Sequence, residues 1–167
     1  MSVRRSTFLL LLTVGSASLV LSGCTVETGG RVGLTLTPGG EVAAVLVACT
    51  GYPDGVTVYQ RQGARESSVV EREAAERITD SATIALSKGP LEAATEQLAL
   101  TPGARGTIYG WSEDNRWSAS HVDFTSEDIR ALRQDEVWFT SWVSDDEPDV
   151  GVFVPIADFP TVACSDF

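Results

Sequence analysis

"EVAAVLVACT", residues 41–50, carries no charge after Glu41 and places Val and Ala at successive positions. An apolar run of this length, bounded by turn signals, reads as a strand covered on both faces. The turns are present: "PGG" (38–40) precedes the run and "GYPDG" (51–55) follows it. Working outward, "RVGLTLT" (31–37) alternates, with Val32, Leu34 and Leu36 on one face, and "VTVYQR" (56–61) alternates again. Three strands joined by tight turns predict an antiparallel β start to the domain.

The rest of the chain continues this pattern. "SSVVEREAAERITD" (67–80) is ambiguous. Its Glu, Arg and Ala content and the spacing of Val70, Ala74 and Ile78 fit a helix, whereas "SSVVERE" fits an exposed edge strand, which the β neighbours favour. "SATIALSKG" (81–89) alternates through Ala82, Ile84 and Leu86. "RGTIYGW" (105–111) puts Tyr109 and Trp111 on one strand face, and "SEDN" (112–115) turns the chain into "RWSASHVDFT" (116–125). "TSEDIRALRQ" (125–134) has a capping residue, acids in its first turn and arginines late, which predicts a short helix over 126–133. "EVWFTSWVS" (136–144) and "DVGVFVPIADF" (149–159) flank "DDEPD" (145–149) and read as a final hairpin. About eight short strands with one short helix predict an all-β, immunoglobulin-like antiparallel sandwich over residues 32–167.

The front of the chain differs. "MSVRR" is positively charged, and "STFLLLLTVGSASLVL" is apolar but short and interrupted by Gly and Ser, the layout of a signal peptide. Leu21-Ser22-Gly23-Cys24 follows, and this order resembles the lipobox of bacterial lipoproteins. The resemblance implies cleavage before Cys24 and a diacylglycerol on its thiol, with the acyl chains (palmitate among them) anchoring the protein to the extracytoplasmic face of a membrane. Residues 1–23 are then the signal peptide and 24–31 a lipidated tether, which at seven residues after Cys24 spans at most about 25 Å. Arg4-Arg5 hints at twin-arginine export. Phe8 falls one place late for that pattern, which favours the general secretory route.

Two further resemblances bear on the mature part. "LALTPGARGTIYGW" (98–111) resembles the approach to the sixth strand of fibronectin-type and immunoglobulin-like domains, although the corner tyrosine position falls on Gly106. The early "VLVAC" strand, the "YGW" and "DNRW" segments and the late Cys164 are similar to uncharacterised lipoproteins of actinomycetes, which implies a fold and no activity.

The lipobox also changes the cysteine arithmetic. With Cys24 acylated, Cys49 and Cys164 remain as a pair in an oxidising compartment, and two thiols allow one intramolecular disulfide. Loss of Arg4 and Arg5 takes the formal charge from −11 to −13, a surface that repels phosphate backbones and disfavours nucleic acid as a partner.

The sequence assembles no catalytic set. His121, the only histidine, stands two residues from Asp123 on a strand that places Trp117 and Ala119 on the same outward face, and no G-x-S-x-G elbow is present. "DDEPD" lacks the spacing of a calcium loop and reads as a solvated hairpin tip. No HExxH motif or phosphate-cradling Gly loop occurs, so no metal, catalytic residue or cofactor is expected. The aromatics stand out. Trp111, Trp117, Trp138 and Trp142 either fill the core or form an exposed platform for a glycan or protein. The expectation is a membrane-anchored binding module for a protein, glycan or small-molecule ligand. The alternatives are an envelope hydrolase built from scattered carboxylates and a structural envelope component.

Overall fold

The computed structural model describes residues 25–62, 65–89, 91–98, 100, 103–141, 150–165 and 167. Cys24 and the signal segment lie outside them, as do Trp142 and "DDEPD". Nine strands run in the order β1 (Glu27–Leu36), β2 (Val42–Ala48), β3 (Gly55–Gln62), β4 (Arg65–Glu73), β5 (Ser81–Ala85), β6 (Arg105–Trp111), β7 (Trp117–Thr125), β8 (Glu136–Ser141) and β9 (Val150–Pro155). The described residues also form three short helices: α1 (Leu91–Gln97), α2 (Ser126–Ala131) and α3 (Phe159–Ala163). The fold is all-β and sandwich-like.

The stretch at 42–48 behaves as its composition demands. Val42 through Val47 are all buried, so β2 is covered on both faces. It pairs antiparallel with β1 on one side and β5 on the other. β1 is the branch point of the sheet. Its first half runs parallel to β7, pairing Glu27 with Trp117 and Arg31 with Ser120. Its second half meets β8 at Leu34–Trp138. One branch continues β7-β6-β3-β4, and the other continues β8-β9. The sheet folds back on itself, bringing Leu46 of β2 against Gly110 of β6. Val56, Val58, Ile108, Val122 and Phe124 fill the space between. Thr35, the buried polar residue of β1, donates its hydroxyl to the Glu136 carbonyl at 2.7 Å, so its burial leaves no donor unsatisfied.

Several expectations are corrected. The described residues hold three helices where the sequence predicts one. Leu91, Ala94 and Leu98 share a helical face, and the last two are fully buried, so the apolar spacing of a helix was present in a stretch given no assignment. Residues 67–73 follow the edge-strand reading of "SSVVERE": they belong to strand β4, paired with β3. Its Glu66, Glu71, Arg72 and Glu73 charge the outer edge of the sheet, which discourages strand addition there. β9 stops at Pro155. The following "IADF" turns instead into α3, and Phe159 is buried against Phe139 with ring centroids 5.2 Å apart. β1 begins at Glu27, inside the stretch read as tether, because parallel pairing with β7 draws residues 27–31 into the sheet.

Candidate ligand-binding groove on the outer sheet face

β3, β6 and β7 form one layer whose inner residues supply the core. Their outer face carries Thr57, Tyr59 and Arg61 on β3, and Thr107, Tyr109 and Trp111 on β6. Strand register sets the geometry. Thr57 lies opposite Tyr109 and Tyr59 opposite Thr107, so the two tyrosines are diagonal neighbours. Their rings stack at 5.6 Å with an interplanar angle of 11°, and their hydroxyls lie 3.3 Å apart. The hydrogen bond with Tyr59, helped by partial burial, pushes the Tyr109 phenol up to about 12.

Trp111 extends this aromatic row. Its Nε1–H donates to the Thr57 hydroxyl at 2.9 Å, and its six-membered ring covers the α-carbon of Gly55. A Cβ at position 55 would stand 2.5 Å from the indole, so glycine there lets the ring lie against the sheet. Below the tyrosines, Arg61 binds Glu66 across the β3–β4 turn through Nε at 2.8 Å, and this partner raises the guanidinium pKa. The Thr107 hydroxyl donates to the Asp123 carboxylate of β7.

β7 reaches this face through a bulge. Gly110 pairs with Ala119 and Ile108 with Val122, which leaves Ser120 and His121 together opposite Tyr109. The bulge breaks strict alternation. Ala119 is buried, contrary to its expected outward position beside His121, while His121 and Asp123 are exposed. The result is an open groove of about 570 Å³ whose lining includes Tyr59, Arg61, Tyr109, His121 and Asp123. It continues past Tyr59 and Tyr109 into a second hollow of about 280 Å³ lined by Glu71, Trp111 and Asn115.

The β6–β7 turn fixes the end of the groove. Ser112 donates to Asp114 at 2.9 Å and accepts from the N–H groups of Arg116 and Trp117 at 3.1 and 2.9 Å. Asn115 adopts φ 55, a left-handed conformation that asparagine tolerates well. The Ser112 hydroxyl, then the Arg116 N–H, holds the Asp114 carboxyl below its ordinary value. Asp54 accepts from the Glu113 N–H at 2.9 Å and docks the turn on the start of β3.

The four tryptophans therefore do not form one platform. Trp111 lines the groove. Trp117 is half-buried over Gly29 and Gly51 and borders a separate hollow with Tyr52 and Arg77. Trp138 is 6% exposed and packs on Gly151, inside a strand whose Val137 and Phe139 are also buried. That strand is covered on both sides, which removes Trp138 from any surface site. The residue missed from sequence is Tyr59. Its alternation in "VTVYQR" was visible, but its partnership with Tyr109 depends on cross-strand register. Cys49 at the end of β2 is joined to Cys164 after α3 by a disulfide with a Cα–Cα distance of 5.3 Å.

The chain matches no protein-family model, no curated protein and no solved structure.

Proposed function

We propose that this chain is a lipid-anchored extracytoplasmic binding module whose working surface is the outer face of β3, β6 and β7. The observation that carries the binding reading is the continuous row Tyr59–Tyr109–Trp111, held on the open side of a layer whose opposite side forms the core. Aromatic rings kept in a polar groove provide contact area at low conformational cost. The anchor reading rests on the order Leu21-Ser22-Gly23-Cys24 and on the positive and apolar segments before it. Only Thr25 and Val26 stand between Cys24 and the first strand, so an acylated Cys24 holds the domain against the membrane surface.

Two experiments test the two parts. Growth with a labelled fatty acid should label the wild-type chain and leave Cys24→Ala unlabelled; equal labelling of both removes the anchor. For the groove, the full chain is immobilised and exposed to fractionated envelope extract. Material retained by wild type and lost from the Tyr59→Ala/Trp111→Ala double variant supports the reading. Equal retention by a correctly folded double variant moves the site elsewhere.

A further inference from the structure

We infer that the groove takes an uncharged linear polysaccharide, an assignment that rests on the groove being the binding surface. Three observations lead there.

The first is shape. The two hollows meet at Tyr59 and Tyr109, which line both, so the site is a channel open along its length and not an enclosed pocket. An open channel binds the middle of a chain.

The second is the pairing of ring faces with hydroxyl-type partners. A pyranose ring has an apolar C–H face and a rim of hydroxyls that both donate and accept. Trp111, flat against Gly55, and the stacked tyrosine pair offer the first surface. The phenols of Tyr59 and Tyr109 and the Thr107 hydroxyl offer the second, being hydroxyl groups that can both donate and accept.

The third is charge. Arg61 is the only Lys or Arg among the described lining residues of the two hollows, and its guanidinium is bound to Glu66. Asp123 and Glu71 add negative charge, and the whole chain stands at −11. Uronate, sulfate or phosphate groups would meet repulsion, with only Arg61, already paired to Glu66, as a cation to receive them. A cationic peptide is the competing occupant of an acidic aromatic groove. Its claim is weakened because Glu66 is already engaged by Arg61 and Asp123 by Thr107.

The test uses the full chain, purified in a sugar-free detergent and presented to three probe sets. These are neutral hexasaccharides of glucose, mannose, galactose and xylose in several linkages, uronate and sulfated oligosaccharides of the same length, and an arginine-rich peptide. The expected result is retention of at least one neutral hexasaccharide. Affinity should fall about tenfold or more in Trp111→Ala, and by a smaller factor in Tyr59→Phe, which keeps the ring and removes one of the sugar-facing hydroxyls. Thermal melts of each variant separate loss of binding from loss of fold. Preference for the uronate or sulfated set would overturn the inference. Retention of the peptide alone, abolished by Trp111→Ala, would overturn it while leaving the groove as the binding surface. Retention of no probe by folded protein would overturn it outright.

Discussion

Trp117 seals Gly51: a methyl group on that glycine would stand 2.5 Å from the indole ring. The same ring lies 2.6 Å from the place a Cβ would take on Gly29. The Gly29 carbonyl in turn accepts the N–H groups of Cys49, Thr50 and Gly51, each at 2.9 Å. One tryptophan thus clamps the start of β1 to the turn after β2. Gly51→Ala should lower stability by about 1–3 kcal/mol through overpacking. Gly39→Ala is the control. Its new Cβ would meet nothing nearer than the Thr37 hydroxyl at 3.6 Å, so its unfolding midpoint should hold or rise slightly. Urea unfolding of both variants decides the point; equal midpoints would remove the clamp.

The disulfide should contribute chiefly through the unfolded chain. Cys49 and Cys164 are 115 positions apart, and the chain-entropy argument gives roughly 4–5 kcal/mol for a loop of that size. Cys164 also follows α3 directly, the helix that carries buried Phe159 and Ala163 against the core. Reduction, or Cys164→Ser, is expected to shift the urea midpoint well below that of the oxidised protein. Intact mass should rise by two hydrogen atoms on reduction. An unchanged mass would show that the thiols are free.

How much of this was legible beforehand depended on whether the signal was local. β2 was readable because six buried residues in succession leave few alternatives. α2 was readable because Thr125 and Asp128 form its cap within four residues. α1 was missed although Leu91, Ala94 and Leu98 carried the period, since seven residues among strands make a weak pattern. The bulge at Ser120–His121 leaves no trace in composition, and it alone reverses Ala119. For the site, Tyr109 and Trp111 were visible as a pair two apart on one strand. Tyr59 could join them only once β3 was known to lie beside β6 in a particular register. The inward Trp138 likewise reflects β1 and β9 lying on both sides of β8.

The tyrosine pair makes a spectroscopic prediction. The phenol of Tyr109 is held up to about 12, first by its hydrogen bond with Tyr59. A raised phenol pKa favours the neutral form in the folded state. Its contribution is fully present below the unfolded value near 10 and is lost as pH rises through about 12. Absorbance at 295 nm should show a late ionisation step that Tyr109→Phe deletes. Tyr59→Phe should move that step down toward 10. A late step unaffected by Tyr59→Phe would mean that the stacked pair does not set it.

The cap of α2 is a reciprocal one. The Thr125 N–H donates to the Asp128 carboxylate at 2.7 Å, and the Asp128 N–H donates to the Thr125 hydroxyl at 3.3 Å. This turn places Ile129 in the core. Thr125→Ala should cost about 1 kcal/mol, and Thr125→Ser should recover most of it. Equilibrium unfolding of the two variants checks the assignment, which fails if serine is no better than alanine.

Asp114 links acidity to the end of the groove. Its carboxylate accepts from the Ser112 hydroxyl at 2.9 Å and from the Arg116 N–H at 3.1 Å, and these bonds depress its pKa, the hydroxyl most. A depressed carboxyl pKa favours the charged form in the folded state. The contribution is present above the unfolded value near 4 and disappears as pH falls through the lower folded value. The turn it stiffens joins Trp111 to Trp117, so acidification below about pH 4 should alter tryptophan emission before global unfolding. Asp114→Asn removes the titrating group and should lack that component. Glu127, also depressed by its own backbone N–H and then Ser126, sits on α2 and is untouched by this substitution. If Asp114→Asn retains the wild-type acid transition in emission, the carboxylate does not hold the turn. The tryptophans then owe their placement to the Thr57 hydroxyl, the Ser112 hydroxyl and the glycines they cover.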